Sequence, residues 1–222
     1  MENIPKITKA PTPSVRRLPM YLQLLRREAA LGAVNVSSAR IAGELGLEPI
    51  QVRKDLSVTG MQGHPGLGFD VAALIDAIEV FLGWDNDHDA FVAGAGNLGS
   101  ALAGYEGFRD YGLNIVALFD IDESIVGTEI HGRPVFHIDR IIDLAWRMHV
   151  RMGVLAVSPL AAQATADLMV DAGMMAIWNF TPVKLNVPDG VIVERVDLAA
   201  SLAVLSSKLS SVLGERREKE KD

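Results

Sequence analysis

Cysteine is absent from the 222 residues. That excludes disulfides, thiolate metal sites and cysteine nucleophiles, so any redox role must be carried by a bound cofactor. Long apolar runs are missing too. None approaches the ~20 residues that a membrane helix needs, and the polar, proline-rich start lacks the apolar core of a signal peptide. The expectation is a cytoplasmic protein with no membrane attachment. Catalytic constellations are equally scarce. No His/Asp/Glu cluster has metal-ligand spacing, and no Ser–His–Asp arrangement is visible. His131 and His137 flank Gly132-Arg133-Pro134-Val135 in what reads as a hairpin or loop. Like Lys184 and Tyr105, they belong to no recognisable acid–base set. No catalytic residue and no metal are expected, and a cofactor without catalytic apparatus points to sensing.

What the chain does hold is Phe91-Val92-Ala93-Gly94-Ala95-Gly96-Asn97-Leu98-Gly99, an apolar run feeding a G-x-G-x-x-G turn. Small and apolar residues at helical spacing follow it. Asn114–Phe119 reads as a second buried strand and ends in Asp120, about 20 residues beyond the glycines, the spacing of a dinucleotide fold. Gly94 permits the tight turn, Gly96 lets backbone approach a pyrophosphate, and Gly99 lets helix and strand pack closely. The N–H groups of the following helix then face the phosphates. A carboxylate at Asp120 accepts hydrogen bonds from a free ribose and repels a 2′-phosphate, which favours NAD(H). A glycine-rich turn that binds nothing would share the triplet; the paired strands and the acid weigh against it.

The net charge of −7 conceals an asymmetry: residues 1–57 hold nine basic and five acidic groups, a surplus of four, leaving −11 on the remainder. A basic segment on an acidic body fits a nucleic-acid-binding end joined to a small-molecule-binding end, and a solvated basic helix face would look the same. Up to about Ser14 the proline-rich start is expected to lack order. Leu18, Tyr21, Leu22, Leu25 and Ala29 then share one helix face. Ser37 or Ser38 caps a second helix carrying Ile41, Ala42 and Leu45 to Gly46, and Pro49 opens a third with Val52 and Leu56. This is a helix-turn-helix pattern, displaying Gln51, Arg53, Lys54 and Ser57 outward. An ordinary helical hairpin with a charged face is the alternative. The Gly60–Gly68 stretch suits a β-hairpin wing, and Val71–Leu82 another helix. Beyond a polar boundary at Gly83–Asp89, strands end at Asp120, Ser158-Pro159 and Asn179-Phe180-Thr181-Pro182 and alternate with helices, as in a parallel sheet. Leu198, Leu202, Leu205, Leu209 and Val212 form one stripe on a final helix that needs a partner surface.

These residues together resemble the Rex family of NAD(H)-responsive transcriptional repressors. The likeness is carried by Arg17-Leu18-Pro19-Met20-Tyr21, Gln51-Val52-Arg53-Lys54-Asp55-Leu56-Ser57, Gly94–Leu102 with Tyr105 and Gly107-Phe108, Phe119-Asp120-Ile121-Asp122, Asn179-Phe180-Thr181-Pro182-Val183 and Val196-Asp197-Leu198-Ala199. The resemblance implies an α/β protein with a winged helix-turn-helix domain (1–83), a Rossmann-type parallel-sheet domain (84–197), a dimerisation helix swapped onto a partner subunit (198–214) and a charged tail (215–222). It implies that Gly94, Ala95, Gly96, Asn97, Leu98 and Gly99 hold the pyrophosphate of NAD(H) and Asp120 and Ile121 the ribose. Ser158, Pro159, Asn179, Phe180, Thr181 and Pro182 would line the nicotinamide end. Arg17, Gln51, Arg53, Lys54 and Ser57 would meet palindromic operator DNA. Tyr105 and Asp197 match positions linked to the redox response between domains. The implied protein is a homodimeric repressor, not an enzyme, released from DNA by NADH. One departure stands out: the wing, Met61–Phe69, has no Lys or Arg where the family carries a Lys-Arg pair. A NAD-dependent oxidoreductase, and a Rex-like sensor without DNA binding, are the other readings.

Overall fold

The computed structural model describes residues 10–85 and 88–219, with side chains to residue 213. The chain divides into two units, one running to Asp87 and including Asp110–Gly112, the other His88–Arg109 with Leu113 onward.

In the first unit α1 spans Thr12–Ala30. It therefore begins before Ser14, where the sequence led us to expect no order. Pro13 lies in its first turn, where a fixed φ suits the helix and a missing N–H breaks no bond. The inward face holds Leu18, Tyr21, Leu22, Leu24 and Leu25, but Ala29 is exposed and Glu28 is buried in its stead. Arg40 makes that burial tolerable, donating to Glu28 through Nε at 3.1 Å and Nη2 at 3.0 Å. Next come β1 (Asn35–Val36), α2 (Ser38–Leu45) and α3 (Pro49–Leu56). Ser37 caps α2 by accepting the Arg40 N–H at 3.1 Å, and Gly46 ends it at φ 65°. Ile41, Ala42, Val52 and Leu56 close a core shared with Leu74 and Ile78 of α4 (Val71–Leu82). Before α4, β2 (Phe69–Asp70) pairs antiparallel with β1, and a single bridge joins His64 to Gly68. The wing is thus a very short hairpin.

The second unit is built on β3 (His88–Ala93), β4 (Leu113–Asp120), β5 (Glu129–Ile130), β6 (Arg133–His137), β7 (Met152–Leu155), β8 (Ala176–Asn179) and β9 (Ile192–Arg195). Their order in the sheet is β5-β6-β4-β3-β7-β8-β9, and every pairing is parallel except the β5–β6 hairpin. The helices are α5 (Asn97–Ala103), α6 (Ile141–Met148), α7 (Ala162–Asp171) and α8 (Leu198–Lys219). Alternation along the strands sorts the core onto two faces. Phe91, Ala93 and Phe119 meet Ile141, Ala145, Ala166 and Met169, while Val92, Leu118 and Val154 meet Ala103. Strand order reverses at β3, which lies between β4 and β7, so the connections that leave the carboxyl ends of β3 and β7 run in opposite directions and leave a crevice there.

Two elements differ from the sequence reading. Helix α6 was not foreseen; its Ile141 and Ala145 are buried, and His149 ends it at φ 56°. Helix α8 continues to Lys219 instead of giving way to a tail at Glu215. Glu215-Arg216-Arg217-Glu218-Lys219 are all good helix formers, and Glu215 and Lys219 place opposite charges four apart. Residues 220–222 of the expected tail lie outside the described residues. Among the described residues no helix is long and apolar enough to cross a membrane.

Candidate functional site

The crevice at the reversal is shaped by backbone. Gly94 donates its N–H to Phe119 O at 2.8 Å, and Ala156 donates to Ala93 O at 2.8 Å, so the ends of β3, β4 and β7 are tied together. Gly94 sits at φ 96°, where a Cβ would also strike the Ala156 carbonyl. A Cβ on Gly99 would collide with the Gly94 carbonyl oxygen, so only glycine lets α5 start this close to the turn. Gly96 has open space at its Cβ position, as a surface that admits a ligand requires.

Asp120 ends β4 with both carboxylate oxygens engaged. Oδ2 accepts the Ala95 N–H at 2.7 Å; Oδ1 accepts those of Ile121 at 2.8 Å and Asp122 at 3.1 Å. The acid is thereby pinned across the mouth of the glycine turn, with about one lone-pair direction left over, on Oδ2, for a hydroxyl donor. A cavity of about 250 Å³ opens beside it. Of the sequence-selected residues Gly94, Gly96, Asp120, Ile121 and Ser158 line it, and Phe119, Ile138, Ala156, Val157, Ala161 and Thr165 complete the wall. Ala161 and Thr165 stand one helical turn apart at the start of α7, a spacing that the strand-then-helix pattern after Ser158 could have flagged. Ile138 follows β6, where no ligand signal exists in the sequence.

The remaining cofactor candidates lie outside this lining. Ala95, Asn97, Leu98 and Gly99 form the turn and the first helical residues behind it. Pro159 is exposed beside Leu160. Asn179 is buried, and its side chain builds the turn after β8: Oδ1 accepts the Thr181 N–H at 2.8 Å and Nδ2 donates to Val183 O at 2.9 Å. Phe180 meets Trp178 edge-on with ring centres 4.8 Å apart, and Pro182 O accepts from Arg195 at 3.3 Å. Tyr105 is exposed after α5, edge-on to Phe108. Asp197 caps α8 through the Ala200 N–H at 2.9 Å and pairs with Arg195 at 3.0 Å. Tyr105 and Asp197 are thus held in separate arrangements.

In the first unit, Arg53 and Lys54 project from α3 as exposed cations, Arg53 donating to Ser38 Oγ at 3.1 Å. The Ser57 hydroxyl donates to Lys54 O at 2.7 Å. Arg17 and Gln51 turn inward to one carboxylate that sequence reasoning passed over. Asp55 is fully buried and accepts from Arg17 Nε at 2.6 Å, Arg17 Nη2 at 2.9 Å, the Tyr21 hydroxyl at 2.6 Å and Gln51 Nε2 at 2.8 Å. Burial alone pushes the Asp55 carboxyl up, but these hydrogen bonds outweigh it and hold the group far below the usual carboxylate range. Burial, then the bond to Asp55, pushes the Tyr21 phenol up; Asp55 likewise raises Arg17.

Comparison with known proteins places these two surfaces in context. Residues 9–57 match the family model described as a putative DNA-binding protein N-terminus, and residues 85–183 match the CoA binding domain. A redox-sensing transcriptional repressor Rex from Treponema denticola is 48% identical over 90% of this chain and 95% of its own length. A Rex from Porphyromonas gingivalis is 43% identical over 92% and 94%. Among solved structures, RSP in complex with β-NAD+ and operator DNA superposes with a TM-score of 0.87 at 34% identity, covering 96% of this chain and 98% of that one. RSP in complex with β-NADH gives 0.84 at 33% identity over 95% and 99%. The fold, the pinned acid at the glycine turn and these relatives agree: the chain belongs to the Rex family of redox-sensing transcriptional repressors.

Proposed function

We propose that this chain is a redox-sensing repressor that binds operator DNA through α3 and is released when NADH fills the crevice at β3, β4 and β7. The observation that carries the reading is Asp120, fixed by three backbone N–H groups at the rim of a cavity walled by Gly94 and Gly96. On this reading Gly94 to Gly99 face the pyrophosphate, Asp120 and Ile121 the adenine-side ribose, and Ser158-Pro159 and Asn179 to Pro182 the nicotinamide half. NAD+ permits DNA binding, and NADH favours a closed dimer in which Tyr105 and Asp197 report the redox state.

The same reading makes the protein a cytoplasmic homodimer, joined through the apolar stripe of α8. Leu198, Leu202, Leu205 and Leu209 are each more than half exposed, a stripe that water disfavours and that a second copy would cover. The protein turns over no substrate. Among the described residues, Asp120 is the only titratable side chain in the cavity wall, and its oxygens already hold the turn together. The domain limits proposed are 1–83 for the winged helix, 84–197 for the Rossmann domain and, for the dimerisation helix, 198 to the end of α8 at Lys219.

Titrating the protein with NADH and NADPH, followed by nucleotide fluorescence, tests the site. Saturable NADH binding with much weaker NADPH binding supports it; equal affinity would remove Asp120 from the ribose.

One observation favours a second reading. The wing from Met61 to Phe69 has no Lys or Arg, so it contributes no fixed cation to a minor groove. A sensor of NAD(H) that acts on a protein partner would need none.

A further inference from the structure

Resting on the DNA-binding reading above, we propose that Asp55 is a positioning residue for DNA recognition, holding Arg17 and Gln51 in the poses that meet the duplex without touching it. Asp55 has no exposed side-chain surface, whereas the Arg17 side chain keeps 24%. Any effect of Asp55 on DNA therefore passes through the groups it holds.

The geometry is specific. Arg17 on α1 grips the carboxylate in the two-point fork that only a guanidinium supplies, through Nε and Nη2. Its Nη1 edge is not used in this grip and stays available for a phosphate oxygen. Gln51, one turn before Asp55 on α3, donates through Nε2 and keeps Oε1 for a partner outside the helix. The Tyr21 hydroxyl fills the remaining side of Oδ2. Hydrogen bonds of Arg17, Tyr21 and Ser14 on one helix and Gln51 on the other thus converge on one carboxylate, and Arg53 and Lys54 are the two residues before it. Fixing Asp55 against α1 also fixes the rotation of α3 about its own axis, and with it the direction of those two cations. The entropy of ordering Arg17 and Gln51 is lost on folding and not again on binding DNA.

A purely structural role would weaken all DNA binding alike. A positioning role changes the preference for the correct sequence. The test measures fluorescence anisotropy at matched salt with two duplexes: the operator crystallised with RSP, and a scrambled duplex of equal length. Wild type, Asp55→Asn and Arg17→Lys are compared, with far-ultraviolet circular dichroism and NADH binding recorded on the same samples. Both variants should lower the operator-to-scrambled affinity ratio by about tenfold. Arg17→Lys keeps the charge, so its affinity for the scrambled duplex and its salt slope should match wild type. It decides the matter if Asp55→Asn loses helicity. A wild-type ratio in Arg17→Lys, or equal losses on both duplexes in a folded Asp55→Asn, would overturn the proposal. Failure of the wild type to prefer the operator would instead bring down the DNA-binding reading and this role with it.

Discussion

The Ala95 N–H donates to Asp120 Oδ2 at 2.7 Å, linking the middle of the glycine turn to the end of the neighbouring strand across 25 positions of sequence. On the proposed function, the acid assigned to the ribose thus also shapes the turn assigned to the phosphates. Asp120→Asn keeps the side-chain volume but removes the charge and one acceptor. NADH affinity should fall by about tenfold, the usual range for a charged hydrogen bond, and discrimination against NADPH should shrink. Isothermal titration with both nucleotides checks this; an unchanged NADH Kd contradicts it.

Proton linkage offers a second check, at Asp55. Its carboxyl is held below the ordinary range by hydrogen bonds from Arg17, Tyr21, Ser14 and Gln51 despite burial. A depressed carboxyl stabilises the fold above its unfolded pKa of about 3.9, and this contribution fades as pH falls below that value. Tyr21 shifts upward, so its contribution is full below about pH 10 and is lost as pH rises beyond. Thermal melts of wild type and Asp55→Asn should differ most near neutrality and converge in acid. A stability gap that widens on acidification would reverse the sign and refute the assignment.

Dimer formation is tested on α8. Placing a carboxylate in the stripe with Leu205→Asp removes a burial contribution of about 1.5–3 kcal/mol per subunit and adds a charge to be desolvated. Sedimentation equilibrium should show wild type as a dimer and the variant shifted to monomer, with NADH binding retained. A monomeric wild type at micromolar concentration would refute the role of α8.

The wing predicts a gain of function. His64 lies at the base of the hairpin tip, exposed, in a segment with no fixed cation. His64→Arg supplies one. Operator affinity should rise and the slope of log K against log salt should steepen by about 0.9, one phosphate contact. An unchanged slope would mean that the wing does not approach DNA.

What the sequence disclosed follows a physical division. Gly94, Gly99 and Asp120 were legible because a tight turn, a close helix approach and a strand-end acid each demand a particular residue at a particular spacing. The helix-turn-helix was legible for the same reason, through Ser37, Gly46 and Pro49. Ala29 was given the inward position that Glu28 fills, because burial of Glu28 depends on Arg40, twelve residues later. The Asp55 cluster was invisible because Arg17 lies 38 positions away, and no local pattern reports such a pairing. Ile138 and Thr165 reach the cavity only through the sheet order. For α8, charged residues were read as a tail, although helix propensity alone carries the helix through them.

The central claim is that one nucleotide redox state releases DNA and the other does not. Anisotropy of a labelled palindromic operator at fixed moderate salt, with no ligand, NAD+ or NADH, tests it most directly. The account predicts specific binding that survives NAD+ and is abolished by NADH. Binding insensitive to NADH, or no operator binding by a protein that still binds NADH, would contradict it.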